Sequence, residues 1–178
     1  MFILYAFPIG ILVGYLMGGR LDRLGELRFR WGWLAMAGLL VQVVLFSGAM
    51  DVVAGDGLGA TIYVASTAVV LIAVLRNLRL RGIALVALGA ASNLAAIVAN
   101  GGVMPTTLGA LAAAGLDPQD GFSNSAVLTD PVLAPLPDIF ALPPWLPSAN
   151  VFSIGDVLIG LGVVVVIAVG MRPERARR

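Results

Sequence analysis

The 178-residue chain contains no cysteine, no histidine and no lysine. Without cysteine there are no disulfides and no thiolate nucleophile; without histidine there is no imidazole acid, base or metal ligand. Without lysine there is neither a Schiff base nor the phosphate-binding lysine of a P-loop. Charge is also scarce, at 12% of residues, with eleven arginines nearly balanced by ten acids for a net charge of +1. Any chemistry must therefore rest on carboxyls, hydroxyls, amides or guanidinium groups. Neither catalytic residues, a cofactor nor a metal site is expected from such a repertoire.

What is present is apolar: 60% of the side chains are hydrophobic and the mean hydropathy is +0.99. Those values predict an all-α polytopic membrane protein, read as one membrane domain over residues 1–178. Five apolar runs, near 1–19, 31–50, 58–75, 83–99 and 154–171, approach the ~20 residues of a transmembrane helix. The arginines fall in three places: Arg20, Arg23, Arg28 and Arg30; Arg76, Arg79 and Arg81; and Arg172, Arg175, Arg177 and Arg178. By the positive-inside rule the N-terminus is outside and the C-terminus cytoplasmic, placing the protein in the plasma membrane with the bilayer as its partner. Asp51, Asp56, Asp117, Asp120, Asp130 and Asp138 occupy the opposite side. The first run lacks a basic n-region and reads as a retained anchor rather than a signal peptide. Trp31, Trp33 and Trp145 suit interfacial belts.

Small residues mark the expected helix contacts. Gly10, Gly14 and Gly18 repeat at spacing four, suiting close packing within the chain or a homo-oligomer. Ala87, Ala91, Ala95 and Ala99 form one stripe of the fourth run, and Gly89, Asn93, Ala96 and Asn100 a second. An offset of 51 residues aligns Leu27-Arg28-Phe29-Arg30 with Leu78-Arg79-Leu80-Arg81 and Gln42 with Asn93, which suggests two parallel helical hairpins. Gln42 and Asn93 form the expected polar core, either bonded to each other or lining a path.

Ser153-Ile154-Gly155-Asp156 reads as a helix start, with Ser153 as N-cap and Asp156 at the third helical position. Gly155-Asp156 also resembles part of the Gly-x-Gly-Asp motif of intramembrane aspartyl proteases, although Ser153 replaces the first glycine. That chemistry needs a second carboxyl, which Asp130 or Asp138 could supply.

Residues 100–153 hold eight of the ten prolines and are expected to form an outer lid between helices four and five. Thr106 or Thr107 can cap a short helix over Leu108–Ala114, closed by Gly115. Turns and extended pieces should follow, with room for a helical turn from Asp138 to Leu142.

The chain resembles a bacterial family of small multi-span membrane proteins whose function is unknown. The likeness rests on Gly18-Gly19, Gln42, Asn100-Gly101-Gly102-Val103-Met104-Pro105, Asn150 and Gly155-Asp156. It implies no activity. The leading expectation is a non-enzymatic integral membrane protein that binds a small molecule, lipid or protein at its outer face through Asn93, Asn100, Asn150, Ser153 and Asp156. A small transporter or channel, or a membrane hydrolase using Asp156, are the alternatives; nucleic acid is not an expected partner.

Overall fold

The computed structural model describes residues 2–47, 57–118 and 124–173. A 3-10 turn over Phe2–Tyr5 leads into α1 (Ala6–Leu16), and α2 spans Gly32–Leu45. Then come α3 (Gly59–Leu75), α4 (Ile83–Ala99), the short α5 (Leu108–Ala114) and α6 (Ile154–Gly170). The connection before α6 also carries strands β1 (Met104–Thr106), β2 (Ser125–Val127), β3 (Phe140–Ala141) and β4 (Val151–Phe152). β1 and β2 pair in parallel with Met104 opposite Ser125; β3 and β4 pair antiparallel with Phe140 opposite Phe152. The architecture is thus mixed, a helical layer bearing two small sheets.

The fold does not carry the membrane topology expected from hydropathy. Among the described residues no helix is long and apolar enough to cross a membrane. The longest, α3, α4 and α6, have 17 residues each, α2 has 14 and α1 only 11. At ~1.5 Å per residue, α1 reaches little over half of a hydrocarbon core ~30 Å thick. Hydropathy counts apolar side chains, whereas helix length depends on the backbone. α1 ends where Gly18 turns to φ 74°, and α2 starts only after Trp31 at φ 59°. The five-span fold, the plasma-membrane location, the bilayer partner and the outside/inside assignment of the termini all fall with that finding. Asp51, Asp56, Asp120, Arg175, Arg177 and Arg178 lie outside the described residues.

The helices pack in the order α2, α3, α4, α6, α1. Since α3 and α4 are neighbours while α1 packs chiefly on α6 rather than on α2, the two-hairpin repeat is not reproduced as two packed pairs. The tightest crossing is between α4 and α6. A Cβ on Gly82 would lie 2.5 Å from the Gly162 carbonyl oxygen, and one on Gly89 would collide with the Gly155 carbonyl. Gly10 and Gly14 are buried against Ile167 and Met171 of the same chain, whereas Gly18 has open space around it. Of the two small-residue stripes on α4, Gly89 and Ala96 are buried, whereas Ala91 and Ala95 are exposed. The outer surfaces of α1 and α2 are apolar, with Leu12, Leu16, Trp33, Met36, Leu40 and Val43 all exposed. Trp31 and Trp145 are exposed too, and the Arg76 guanidinium lies 5.1 Å over the Trp31 ring; the interfacial belts expected of the tryptophans fall with the membrane topology.

The described parts of the connection, residues 100–118 and 124–153, fold back onto one end of the layer. Met104 joins Leu45, Tyr63, Ala96 and Ile97 in an apolar cluster, and α5 packs with Val151 in another. Thr107 caps α5 by accepting the Ala110 N–H (3.1 Å), and Gly115 closes it at φ 68°. Removing that hydroxyl with Thr107→Ala should cost about 1 kcal/mol, read as a small drop in midpoint with an unchanged slope on urea unfolding. The helical turn allowed at 138–142 is not formed: Asp138 bridges in parallel to Thr106, and Phe140–Ala141 is β3. Paired backbone groups satisfy this proline-rich stretch better than a turn with missing donors.

Candidate functional site

Where the folded-back segment meets the helical layer, a cavity of about 280 Å³ opens. The helices contribute Gln42 from α2, Tyr63 and Thr67 from α3, Asn93 from α4 and Asp156 from α6. The connection contributes Asn124, Asp138 and Asn150. Phe2 and Phe152 add an aromatic wall, their rings stacked at 4.3 Å and 9°. Two carboxyls thus line this space, and among the described residues no arginine does.

Asp156 is held there by the start of α6. The Ser153 Oγ accepts the Asp156 N–H (3.0 Å), while Asp156 Oδ2 accepts the Ser153 N–H (3.1 Å), a complete capping box. Asn93 ties α4 to it: its Nδ2 donates to Asp156 Oδ1 (2.8 Å), and its Oδ1 accepts from the Ser153 hydroxyl (2.9 Å). Ser153 is completely buried. Both Asp156 oxygens are therefore engaged, and the helix N-terminus, which favours an anion, is supplied by its own side chain. The close approach of Gly155 to Gly89 is what brings Asn93 within reach, since a Cβ on Gly155 would fall on the Asn93 Oδ1.

Asp138 is different. Its backbone is fixed on both sides, the N–H donating to Pro105 (2.8 Å) and the carbonyl accepting from Thr106 Oγ1 (3.2 Å). The residue is 7% exposed and its Oδ1 is buried without a hydrogen-bond partner. A buried acceptor left unmatched costs ~1–3 kcal/mol, more when charged. Burial first, and then the Asp156 charge, push its carboxyl up from the ordinary 3.8 to about 7. The Tyr63 hydroxyl is also pushed upward, by burial first and then by Asp138 and Asp156.

Of the residues expected to form a ligand site, Asn93, Asn150 and Asp156 line the cavity, and Ser153 joins them through its bonds to Asn93 and Asp156. Asn100 does not. Its amide brackets Val132, accepting from the N–H (2.8 Å) and donating to the carbonyl (3.0 Å), so it staples the connection to the end of α4. Gln42 and Asn93 share the cavity but are not bonded to each other; Gln42 Nε2 donates to Thr67 Oγ1 (3.1 Å) instead. Tyr63, Thr67 and Asn124 were not expected in the site. As a site residue, Asp138 follows from the sequence only as a second acid for proteolysis, and the signal for its position, the extended pairing with Thr106, is not local in sequence. Among the described residues no group of three or more Asp or Glu side chains could hold a metal ion.

A model of a protein family of unknown function, DUF5317, matches residues 26–168, so the chain belongs to that family. The family is uncharacterised, as the resemblance implied, but the multi-span character attached to it is not what the structure supports. No curated protein and no solved structure matches the chain.

Proposed function

We propose that this protein is a non-enzymatic binding protein that takes a small organic ammonium ion into the cavity between the helical layer and the folded-back connection. The observation that carries this reading is Asp138: a nearly fully buried carboxyl with an unpartnered oxygen, on a cavity that also holds Asp156 and no arginine among its described lining. A cation donating to Asp138 Oδ1 would satisfy the orphan acceptor and neutralise the repulsion between the two acids. Aromatic faces at Phe2 and Phe152 suit the organic part of such a ligand. The amides of Asn93, Asn124 and Asn150 supply polar selectivity. The volume sits near the lower edge of the ~300–1,000 Å³ usual for ligand pockets, which points to a small molecule. Asp156, with both oxygens committed, serves as a fixed counter-charge rather than a nucleophile.

The test uses benzylammonium and its neutral analogue benzyl alcohol, followed by calorimetry on the full chain at pH 8. Saturable binding of benzylammonium, at least tenfold tighter than the alcohol and lost in Asp138→Asn, is the expected result. Below pH 7 the affinity should fall about tenfold per pH unit, because the ligand must then displace a proton from Asp138. Equal binding of the alcohol, or unchanged affinity in Asp138→Asn, would sink the reading.

A further inference from the structure

At the opposite end of the helical layer from the acidic cavity lies a cleft of about 300 Å³ whose lining includes Arg28, Arg30, Arg76 and Arg79. We propose that this cleft binds a small phosphoryl anion, held by guanidinium groups from both of its walls.

The cleft is built, not a chance meeting of surface chains. Asn77, 4% exposed, accepts the Arg30 N–H at Oδ1 (2.8 Å) and donates Nδ2 to the carbonyls of Arg30 (2.7 Å) and Ala73 (2.7 Å). One buried amide thus clamps the segment before α2 onto the end of α3. The adjoining Trp31 takes the left-handed conformation at φ 59°, and the Arg76 guanidinium lies 5.1 Å over its ring. These contacts bring arginines from two segments to one opening, and among the described residues no carboxyl lines it. Asp22, close by in sequence, is engaged with Arg20 at 3.2 Å.

Helix electrostatics account for only half of this arrangement. Arg76 and Arg79 follow the C-terminus of α3, where the macrodipole favours a cation. Arg28 and Arg30 precede the N-terminus of α2 at Gly32, where the dipole disfavours one. Orientation across a bilayer, the reason first expected for the arginine clusters, is no longer available. An anion in the cleft would relieve the repulsion among the four side chains. Guanidinium is the group suited to it, because its planar fork donates two parallel hydrogen bonds to phosphate oxygens.

Binding of inorganic pyrophosphate and of glycerol 3-phosphate to the full chain would be measured by calorimetry at about 50 mM salt, where charge contacts are weakly screened. Saturable binding of either supports the site; preference for the first identifies a free phosphate and for the second a phosphate ester. Arg28→Gln and Arg79→Gln should each weaken the preferred probe at least fivefold, and Arg76→Lys, which keeps the charge but removes the fork, should also weaken it. Arg20→Gln, outside the cleft, should leave affinity unchanged. Because Arg28 and Arg79 are exposed, melting temperatures of those variants should match the parent and separate binding from folding. Absence of saturable binding to both probes, or an equal loss from Arg20→Gln, would overturn the proposal.

Discussion

At pH 8 the Asp138→Asn variant is expected to melt well above the parent chain, while near pH 4 the two should melt close together. The cause lies in where the proton sits. The Asp138 carboxyl holds its proton up to about pH 7 in the folded chain, but releases it near its ordinary 3.8 when unfolded. Between those values the folded state binds more protons than the unfolded state, so its stability declines as pH rises. Above both values the decline is complete. At ~1.4 kcal/mol per unit, the full span corresponds to an order of about 4 kcal/mol. Asparagine has nearly the same shape and no charge, so it removes the pH dependence and retains the gain. For a chain of this length, such a difference amounts to roughly 10 °C in melting temperature. Asp156 and Tyr63 are the other ionisable groups facing Asp138, and the raised Tyr63 hydroxyl does not titrate in this window. A thermal series from about pH 4 to pH 8 in both chains measures the effect; parallel curves would show that Asp138 is not the group responsible.

This result would bear on function as well as on stability. A residue whose replacement strengthens the fold and abolishes binding is one whose charge is kept for a ligand. If Asp138→Asn melted lower at pH 8, the carboxyl would have a structural partner and the case for an unmet cation site would weaken.

How much of this was legible beforehand differs from element to element. α3, α4 and α6 coincide with the apolar runs at 58–75, 83–99 and 154–171 because there an uninterrupted helix fills the whole run. The caps at Thr107, Gly115 and Ser153 were legible because they depend on contacts only three or four residues away. The first two runs misled because the first opens with a 3-10 turn over Phe2–Tyr5 and closes at left-handed Gly18, and in the second α2 already stops at Leu45, none of which changes the hydropathy. That error carried the topology and the location with it. The two- and three-residue strands are too short for a period-2 pattern to register. Asn93 and Asp156 could be singled out as polar groups in apolar surroundings, yet their pairing needs the α4–α6 crossing. Asn100 looked equivalent to them from its position at a helix end, but its amide is spent on Val132. Asp138 depends on a bridge to a residue 32 positions away, which no local pattern encodes.

The α4–α6 crossing itself makes the second large prediction, since the same substitution should have opposite signs at two helical glycines. Glycine to alanine in a helix interior ordinarily stabilises by ~0.8–1 kcal/mol, because glycine loses more backbone freedom on folding. Gly109, in the first turn of α5, is exposed, and a Cβ there meets nothing within 4 Å, so Gly109→Ala should stabilise by part of that gain. At Gly89 the Cβ would instead strike the Gly155 carbonyl oxygen and come within 2.9 Å of the Ile159 nitrogen, both backbone atoms of α6. Neither can rotate aside; only a shift of one helix relieves the clash. Overpacking of this kind costs ~1–3 kcal/mol where side chains can adjust, so Gly89→Ala should lose about 3 kcal/mol or more. Gly155→Ala strikes side chain as well as backbone, displacing the Asn93 amide that bonds Asp156 and Ser153. It should therefore weaken ammonium binding beyond its effect on stability, whereas Gly162→Ala, 2.7 Å from the Gly82 carbonyl and away from the cavity lining, should destabilise with little effect on affinity in the fraction that folds. Urea unfolding and calorimetry of the four variants separate these outcomes. A stabilising Gly89→Ala would mean that the two helices do not cross as closely as their glycines allow.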